Sequence, residues 1–339
     1  MRHMDGDEAP EADSLRGTAR SRRTRRRIRR RMYARSVLLA ALLGTGGVLG
    51  MPEAEAQDGG TSEGRFMIGY RSVDVGGERN KYREDIDLGD GPRLMELSFS
   101  LLPDGALGGV ADRIHVDLDE LGGEPFESLR VEARRYGSYH VRYERQESDY
   151  FYDDQLFPSD RVSARNARAG DFHTFDFRRV RDRAALDLEV GERAAVTVGL
   201  DRYAKKGRST ASLSLQRDEF QLERPIDEAS VETNVGFRYA WDRVTLSVEE
   251  RYSEYESAHE LFLPGQSEGV FPDNQTVADF FFLDQPYAFI SRSHTVRVVA
   301  TPLDRLTLRA SGTLQDLDLD VEAREEAAGI GFTGAPFST

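Results

Sequence analysis

Six histidines are the side chains best suited to acid–base or metal chemistry: His3, His115, His140, His173, His259 and His294. None is spaced from another as paired metal ligands are. Asp117 and Asp119 alternate on one segment, and Asp316, Asp318 and Asp320 on another. On a strand such residues share a face, and converging oxygens hold calcium. A polar lumen wall is the plainer reading of these residues and the one expected. No G-x-S-x-G is present, and no phosphate-cradling glycine loop follows a strand. Cysteine is absent, which excludes disulfides, thiolate metal sites and haem attachment through C-x-x-C-H. These residues predict no enzyme, no catalytic residue, no metal site and no resident cofactor.

The elements that must position these side chains read as strands. Ala184–Val190, the turn Gly191-Glu192-Arg193 and Ala194–Tyr203 form one hairpin. Val231–Tyr239, Ala240-Trp241-Asp242 and Arg243–Tyr252 form a second. His294–Ala300, a turn around Leu303-Asp304 and Arg305–Leu314 form a third. In the second hairpin Val231, Thr233, Val235, Phe237 and Tyr239 alternate with Glu232, Asn234, Gly236 and Arg238. Val244, Leu246 and Val248 likewise alternate with Thr245, Ser247 and Glu249. Successive strand side chains point to opposite faces, so one face is apolar and the other charged. No stretch after the N-terminal segment has apolar residues at helical spacing. Arg65–Ser72, Leu94–Leu101, Ile114–Leu121, Ser128–Arg135, Ser138–Arg145 and Thr210–Leu222 bring the expected strands to about a dozen. Gln146–Arg179 and Ser257–Ser293, rich in aromatic residues, read as long loops. Short turns at one end and long loops at the other are the pattern of a transmembrane β-barrel. A soluble antiparallel sandwich shares the alternation.

The N-terminus favours the barrel. Arg22–Arg35 is dense in arginine, Val37–Leu49 is apolar, and Ala54-Glu55-Ala56 precedes Gln57. That is the order of a secretory signal peptide, with Ala54, Ala56 and Gln57 at the cleavage site. The apolar run of about thirteen residues is shorter than the roughly twenty of a spanning helix. Residues 1–56 are therefore expected to be a leader, over-long unless Met32 is the true start. A basic nucleic-acid-binding arm and a twin-arginine signal at Arg22-Arg23 are competing readings. The apolar run directly follows the arm, and the pair lacks apolar residues just after it. The leader carries 12 Arg and 7 acidic residues, so the net charge of −14 becomes −19 without it. Such a surface repels nucleic acid.

The expected fold is an all-β, antiparallel up-and-down transmembrane β-barrel over 57–339. Its expected location is the lipid of a Gram-negative outer membrane. Phe337-Ser338-Thr339 lacks the closing aromatic residue of such barrels. An open sheet in lipid leaves a bare edge, so the chain reads as the N-terminal part of a longer, C-terminally truncated barrel. The lumen-facing set is expected to be Arg130, Glu132, Arg134, Arg142, Glu144, Asp187, Glu189, Glu232, Arg238, Glu249, Arg251, Arg297 and Arg309. Opposite charges across neighbouring strands stabilise by roughly 0.2–1 kcal/mol each.

Three features carry a family resemblance. They are Tyr139-His140-Val141-Arg142-Tyr143-Glu144-Arg145, then Tyr150-Phe151-Tyr152-Asp153-Asp154 with Phe157-Pro158, and the repeated turn Trp241-Asp242-Arg243 and Leu303-Asp304-Arg305. From about Gly64 onward these resemble the MtrB/PioB-type outer-membrane barrels. The resemblance implies a sheath or conduit for a multihaem c-type cytochrome, passing electrons across the outer membrane. Haem would come only with that partner. The family is longer than this chain, and some members carry an N-terminal cysteine pair that is missing here. Beside this the residues leave open a porin-type channel for small solutes and a secreted soluble structural β-protein.

The leader reading predicts a mature protein that begins at Gln57. Intact-mass measurement of the secreted form checks it, and retention of Ala54–Ala56 contradicts it.

Overall fold

The computed structural model describes residues 60–104, 109–153, 174–263, 265–269, 271, 274 and 276–339. The leader, with Ala54, Ala56 and Gln57, lies outside them, as do His3, Asp154, Phe157, Phe172 and His173. The strands are β1 (Thr61–Arg71), β2 (Gly91–Leu102), β3 (Arg113–Leu121), β4 (Phe126–Arg135), β5 (Tyr139–Asp153), β6 (Thr174–Val190), β7 (Ala194–Leu215) and β8 (Asp218–Ala240). They continue with β9 (Val244–Phe262), β10 (Ser267–Glu268), β11 (Val277–Asp284), β12 (Tyr287–Leu303), β13 (Leu306–Val321), β14 (Arg324–Ile330) and β15 (Pro336–Ser338). One short helix, α1 (Arg79–Asp85), lies between β1 and β2. It docks on the end of β5, where Asn80 donates to Asp153 at 3.0 Å and the Arg83 guanidinium sits 3.9 Å from the Phe151 ring centroid.

All fifteen strands belong to one antiparallel sheet, and from β1 to β9 each pairs with its neighbours in sequence. β9 then pairs with β12 through Val244–Ser257 and with β11 through Glu260–Phe262. The register does not change between them: Asp284 faces Glu260 and Tyr287 faces Ser257. β11 and β12 are thus one line interrupted at Gln285-Pro286, because proline cannot donate to the ladder. β13 and β14 form a second such line, interrupted at Glu322-Ala323, with Tyr287 facing Val321 and Asp284 facing Arg324. The sheet is open. Among the described residues β1 bonds only β2, and β13 bonds only β12.

The expected hairpins are present but longer than alternation alone indicated. Thr210–Leu222, expected as one strand, is the end of β7, the turn Gln216-Arg217 and the start of β8. The aromatic residues Tyr150, Phe151, Tyr152, Phe175, Phe177, Phe280, Phe281, Phe282 and Tyr287, expected in loops, lie on strands. α1 corrects the expectation of no helix; seven residues are too few to show a period.

Short turns gather at one end of the sheet. Gly137 (φ 69°) and Gly191 (φ 66°) supply the left-handed positions of two of them. Consecutive turns are tied together: Arg193 reaches Asp242 at 3.5 Å, and Arg243 reaches Asp304 at 3.4 Å. This accounts for the repeated Asp-Arg turn. The partners are exposed, so each link contributes about 0–1 kcal/mol.

The opposite end is capped. Beyond a line through Arg208, Pro225, Pro286 and Glu322, the tips of β7, β8 and β9 meet β11, β14 and β15 around Phe220, Leu222, Leu263, Ala278, Phe281 and Ala327. The β7–β8 turn places Gln216 and Arg217 at φ 52° and 66° without glycine. Thr276 Oγ1 donates to the Gln216 carbonyl at 3.1 Å, and Asn274 Nδ2 donates to the Arg217 carbonyl at 2.9 Å, fixing that strained turn.

Leu222 is fully buried. Leu222→Ala should lower the stability of the cap by about 2–5 kcal/mol, the usual cost of such a deletion. Hydrogen exchange of the cap strands reads this directly. An unchanged exchange rate would contradict the cap core.

The charged face as candidate functional site

Directly paired residues of an antiparallel sheet point to the same side, so register assigns every side chain to a face. On one face an apolar belt crosses the sheet. One row runs Leu101, Ile114, Ala133, Val141, Leu186, Val198 and Val235 from β2 to β8, then turns polar at Glu250 and His294. Two rows nearer the capped end, Phe66, Leu97, Leu118 and Leu129 are apolar, but Arg145, Asp182 and Arg202 already follow on β5 to β7. Toward the turns the belt reaches Val244, Ala300 and Leu308 on β9 to β13. It therefore runs obliquely to the hydrogen-bonded rows. No described element covers it: Ile68 is 69% exposed, Val235 52% and Leu314 71%. At its turn-side margin the Tyr239 and Trp241 rings meet edge to face with centroids 4.7 Å apart.

The other face carries the charges, and all thirteen residues expected together lie on it. Arg130 faces Glu144, Glu132 faces Arg142, and Arg134 faces His140, itself paired with Asp187. Glu189 and Arg238 both face Ala195. Glu232 faces Asp201, Glu249 faces Gly236, and Arg251 faces Asn234. Ser247 joins Arg238 to Arg297, and Val299 faces Arg309.

One row forms a ladder of alternating sign. Asp117, Arg130, Glu144, Arg183 and Asp201 follow one another across β3 to β7. Arg130–Glu144 is 3.7 Å, Arg183–Glu144 3.6 Å and Arg183–Asp201 3.4 Å. Arg181 adds a closer bond to Asp201 at 2.6 Å. Arg142 pairs with Asp187 at 2.9 Å, and Arg251 bridges Glu249 at 3.1 Å and Glu232 at 3.5 Å. Arg181, Arg183 and Asp201 were not among the residues expected here. Their parity with Asp187 and Thr197 is the signal that finds them.

Beside the ladder lies a shallow hollow of about 470 Å³, rimmed by Arg142, Glu144, Asp187, Asp201, Glu232 and Glu249. Its floor is low because Ala185, Thr197, Gly199 and Gly236 are small. At two of these positions a neighbouring side chain fills the space that glycine leaves. A Cβ on Gly199 would meet Asn234 Oδ1 at 1.9 Å, and one on Gly236 would meet Thr197 Oγ1 at 2.3 Å.

The remaining candidates separate. His115 contacts Asp117 at 2.7 Å, and His140 lies 3.7 Å from Glu132, both on the charged face. His294 lies on the belt face beside Glu250 and Leu314. Asp119 accepts from Ser128 at 3.0 Å. Asp316, Asp318 and Asp320, weighed above as part of one polar wall, belong instead to the belt face, beyond the belt, with Asp316 opposite Arg292. His259 sits near the cap; burial, then the Arg224 charge, hold its imidazole below the ordinary value. Among the described residues no group of three His, Asp or Glu side chains is placed to hold a metal.

The ladder pairs are half exposed, so each is worth little alone. A double-mutant cycle on Arg183→Ala and Asp201→Ala should give a coupling of about 0.2–1 kcal/mol that shrinks with added salt. A salt-independent coupling would contradict a wet ladder. Comparison with known proteins finds no family model, no curated protein and no solved structure that matches this chain.

Proposed function

We propose that residues 57–339 are wall strands of a Gram-negative outer-membrane β-barrel that sheathes a multihaem c-type cytochrome. The observation that carries this reading is the division of one sheet into an uncovered apolar belt and a charged face. A bare apolar band of this extent in water is an aggregation hazard; against lipid tails it is stable. On β7 the belt covers Ala194–Leu200, seven residues or about 23 Å of strand, close to the roughly 25 Å band of such barrels. Its oblique course fits strands tilted to the membrane normal. Tyr239 and Trp241 at the margin fit an interfacial aromatic girdle.

The charged face supports a sheath more than a selective pore. A charge-selective channel needs side chains whose field reaches the passing ion. Here Arg130, Arg181 and Arg183 pair with Glu144 and Asp201, and Arg251 pairs with Glu232 and Glu249, so that the two groups together hold four charges of each sign within the face. Such a lining is wet but nearly field-free, and the small-residue hollow gives room for a partner's surface. Electrons would be carried by the partner's haems. The wall's part is to exclude lipid and hold the partner in place. The resemblance of Tyr139–Arg145 and the Asp-Arg turns to MtrB/PioB-type barrels points the same way. A porin-type channel is the second reading, favoured only by the wetness of the same face.

Two measurements test these statements. Val235→Arg or Leu246→Arg should cost about 2–4 kcal/mol near the bilayer midplane, and Glu249→Gln much less, in folding into lipid followed by heat-modifiable gel mobility. Equal tolerance would remove the barrel reading. Protein purified from native outer membranes should bring down a haem-staining partner. A haem-free preparation that conducts freely in planar bilayers would replace the sheath with the porin.

A further inference from the structure

A second hollow, of about 510 Å³, lies between α1 and the strands β5, β6 and β7, on the capped-end side of the apolar belt. Its charged lining residues on the strands have the parity of the belt face. So do Phe151 and Asp153, on which α1 docks. Four cations line the hollow: Arg83 from α1, Arg178 from β6, and Lys206 and Arg208 from β7.

The acids present do not satisfy these cations evenly. Arg178 holds Asp149 through two bonds at 2.6 and 2.7 Å. Asp176 is shared by Arg83 at 3.5 Å and Arg208 at 3.6 Å, and Asp87 lies 3.4 Å from Arg83. Arg208 is 82% exposed, so its pairing is weak. Lys206 makes no ion pair with another described residue, although Asp227 stands opposite it on β8. The register adds a clash. Arg178 directly faces Lys206, and Arg208 follows two positions on, on the same side. Like charges opposite one another destabilise a sheet. On the other face Arg179 directly faces Lys205, and there the clash is answered. Glu228 sits 3.4 Å from Lys205, and the Phe177 ring centroid lies 4.8 Å from Arg179 and 4.7 Å from Lys205. Among the described residues nothing comparable stands beside Lys206.

The height of the hollow bears on what could answer this clash. In the barrel reading short turns face the periplasm and longer connections face outward, so the capped end is the outer one. On β7 the belt ends at Leu200, and Lys206 is about 20 Å farther along the strand. At a tilt of roughly 40° that is about 15 Å above the apolar band. A phospholipid headgroup layer is only about 5–8 Å deep on each side. A headgroup extended by phosphorylated sugars reaches this level.

We infer that the hollow binds a phosphate group, with Lys206 and Arg208 bonding its oxygens and Arg178 behind them, and that an outer-leaflet glycolipid carries this phosphate. The choice of a lipid as the source rests on the barrel reading. Phosphate accepts several bonds at once, and the arginine fork meets it with two in parallel. Its charge offsets the cations that the register sets side by side. One glycolipid molecule would thereby be fixed against the outside of the wall above the belt.

Full-length protein, purified in detergent from the cell fraction that holds it, tests this as wild type, as Lys206→Gln with Arg208→Gln, and as Lys206→Arg. Glycolipid retained after washing is counted by phosphorus and sugar analysis. Rebinding is titrated with purified phosphorylated glycolipid, with the same glycolipid after phosphatase treatment, and with inorganic phosphate. The double variant should retain and rebind about tenfold less than wild type, as expected for lost charge-assisted bonds, and Lys206→Arg should match wild type. Phosphatase treatment should weaken binding by a similar factor. Unchanged binding in the double variant, with heat-modifiable mobility intact, overturns the site. Where the double variant fails to fold, Lys206→Gln alone, which removes no ion pair to a described residue, makes the same comparison. Equal binding of the treated lipid overturns phosphate as the ligand. Inorganic phosphate that binds as tightly as the glycolipid supports the site and overturns the lipid as its source. Absence of the wild-type protein from the outer-membrane fraction overturns the barrel reading and the lipid source with it, and the phosphate titration then decides the site alone.

Discussion

Register is the constraint on which both faces of this sheet depend. β7 and β8 stay in step from Ala194 and Tyr239 to Leu215 and Asp218, without a bulge. β9 keeps one register with β12 and β11 across the break at Pro286. Side chains alternate with period two, so a slip of one residue would carry Glu232 and Arg238 into the apolar belt and Val235 out of it. The slip is opposed from both sides. The tight turns fix the offset at one end, and the cap core fixes it at the other.

Those same long strands change character along their length without changing sides. Thr197 and Asp201 on β7, and Glu232 on β8, share a face with Leu213, Leu215, Phe220 and Leu222 farther along. Below the interruptions that face is charged and open; above them it is apolar and buried. Pro225, Pro286 and the Glu322-Ala323 break fall on adjacent positions of one transverse line. β7 and β8 stay paired through it, but from β8 outward backbone pairing lapses there.

The wall was legible in the sequence because each strand has one apolar and one polar face. Val231–Tyr239 and Val244–Glu249 state their orientation in six to nine residues, and the set of residues on the charged face follows from parity. The cap was not legible, for the same reason reversed. Val277–Asp284 holds three consecutive phenylalanines and no alternation, and reads as an aromatic loop until Phe281 is seen against Ala278 and Ala327. The Asp316, Asp318 and Asp320 series kept its period but changed face, because the pattern of β13 shifts by one between Leu314 and Leu317. The hollow was invisible because small residues on four neighbouring positions are adjacent only after pairing.

The linked turns bear on how such a sheet could lengthen. The β8–β9 turn presents an acid to the turn before it and a base to the one after: Asp242 receives Arg193, and Arg243 passes on to Asp304. The connection is a repeating adaptor with the same fitting at both sides. Deletion of the hairpin between two linked turns leaves a base opposite an acid at the new junction, Arg193 toward Asp304, whereas loss of a single strand moves the following turn to the other end of the sheet. A sheet built from such units can change its width in steps of two strands with no new turn contact to invent.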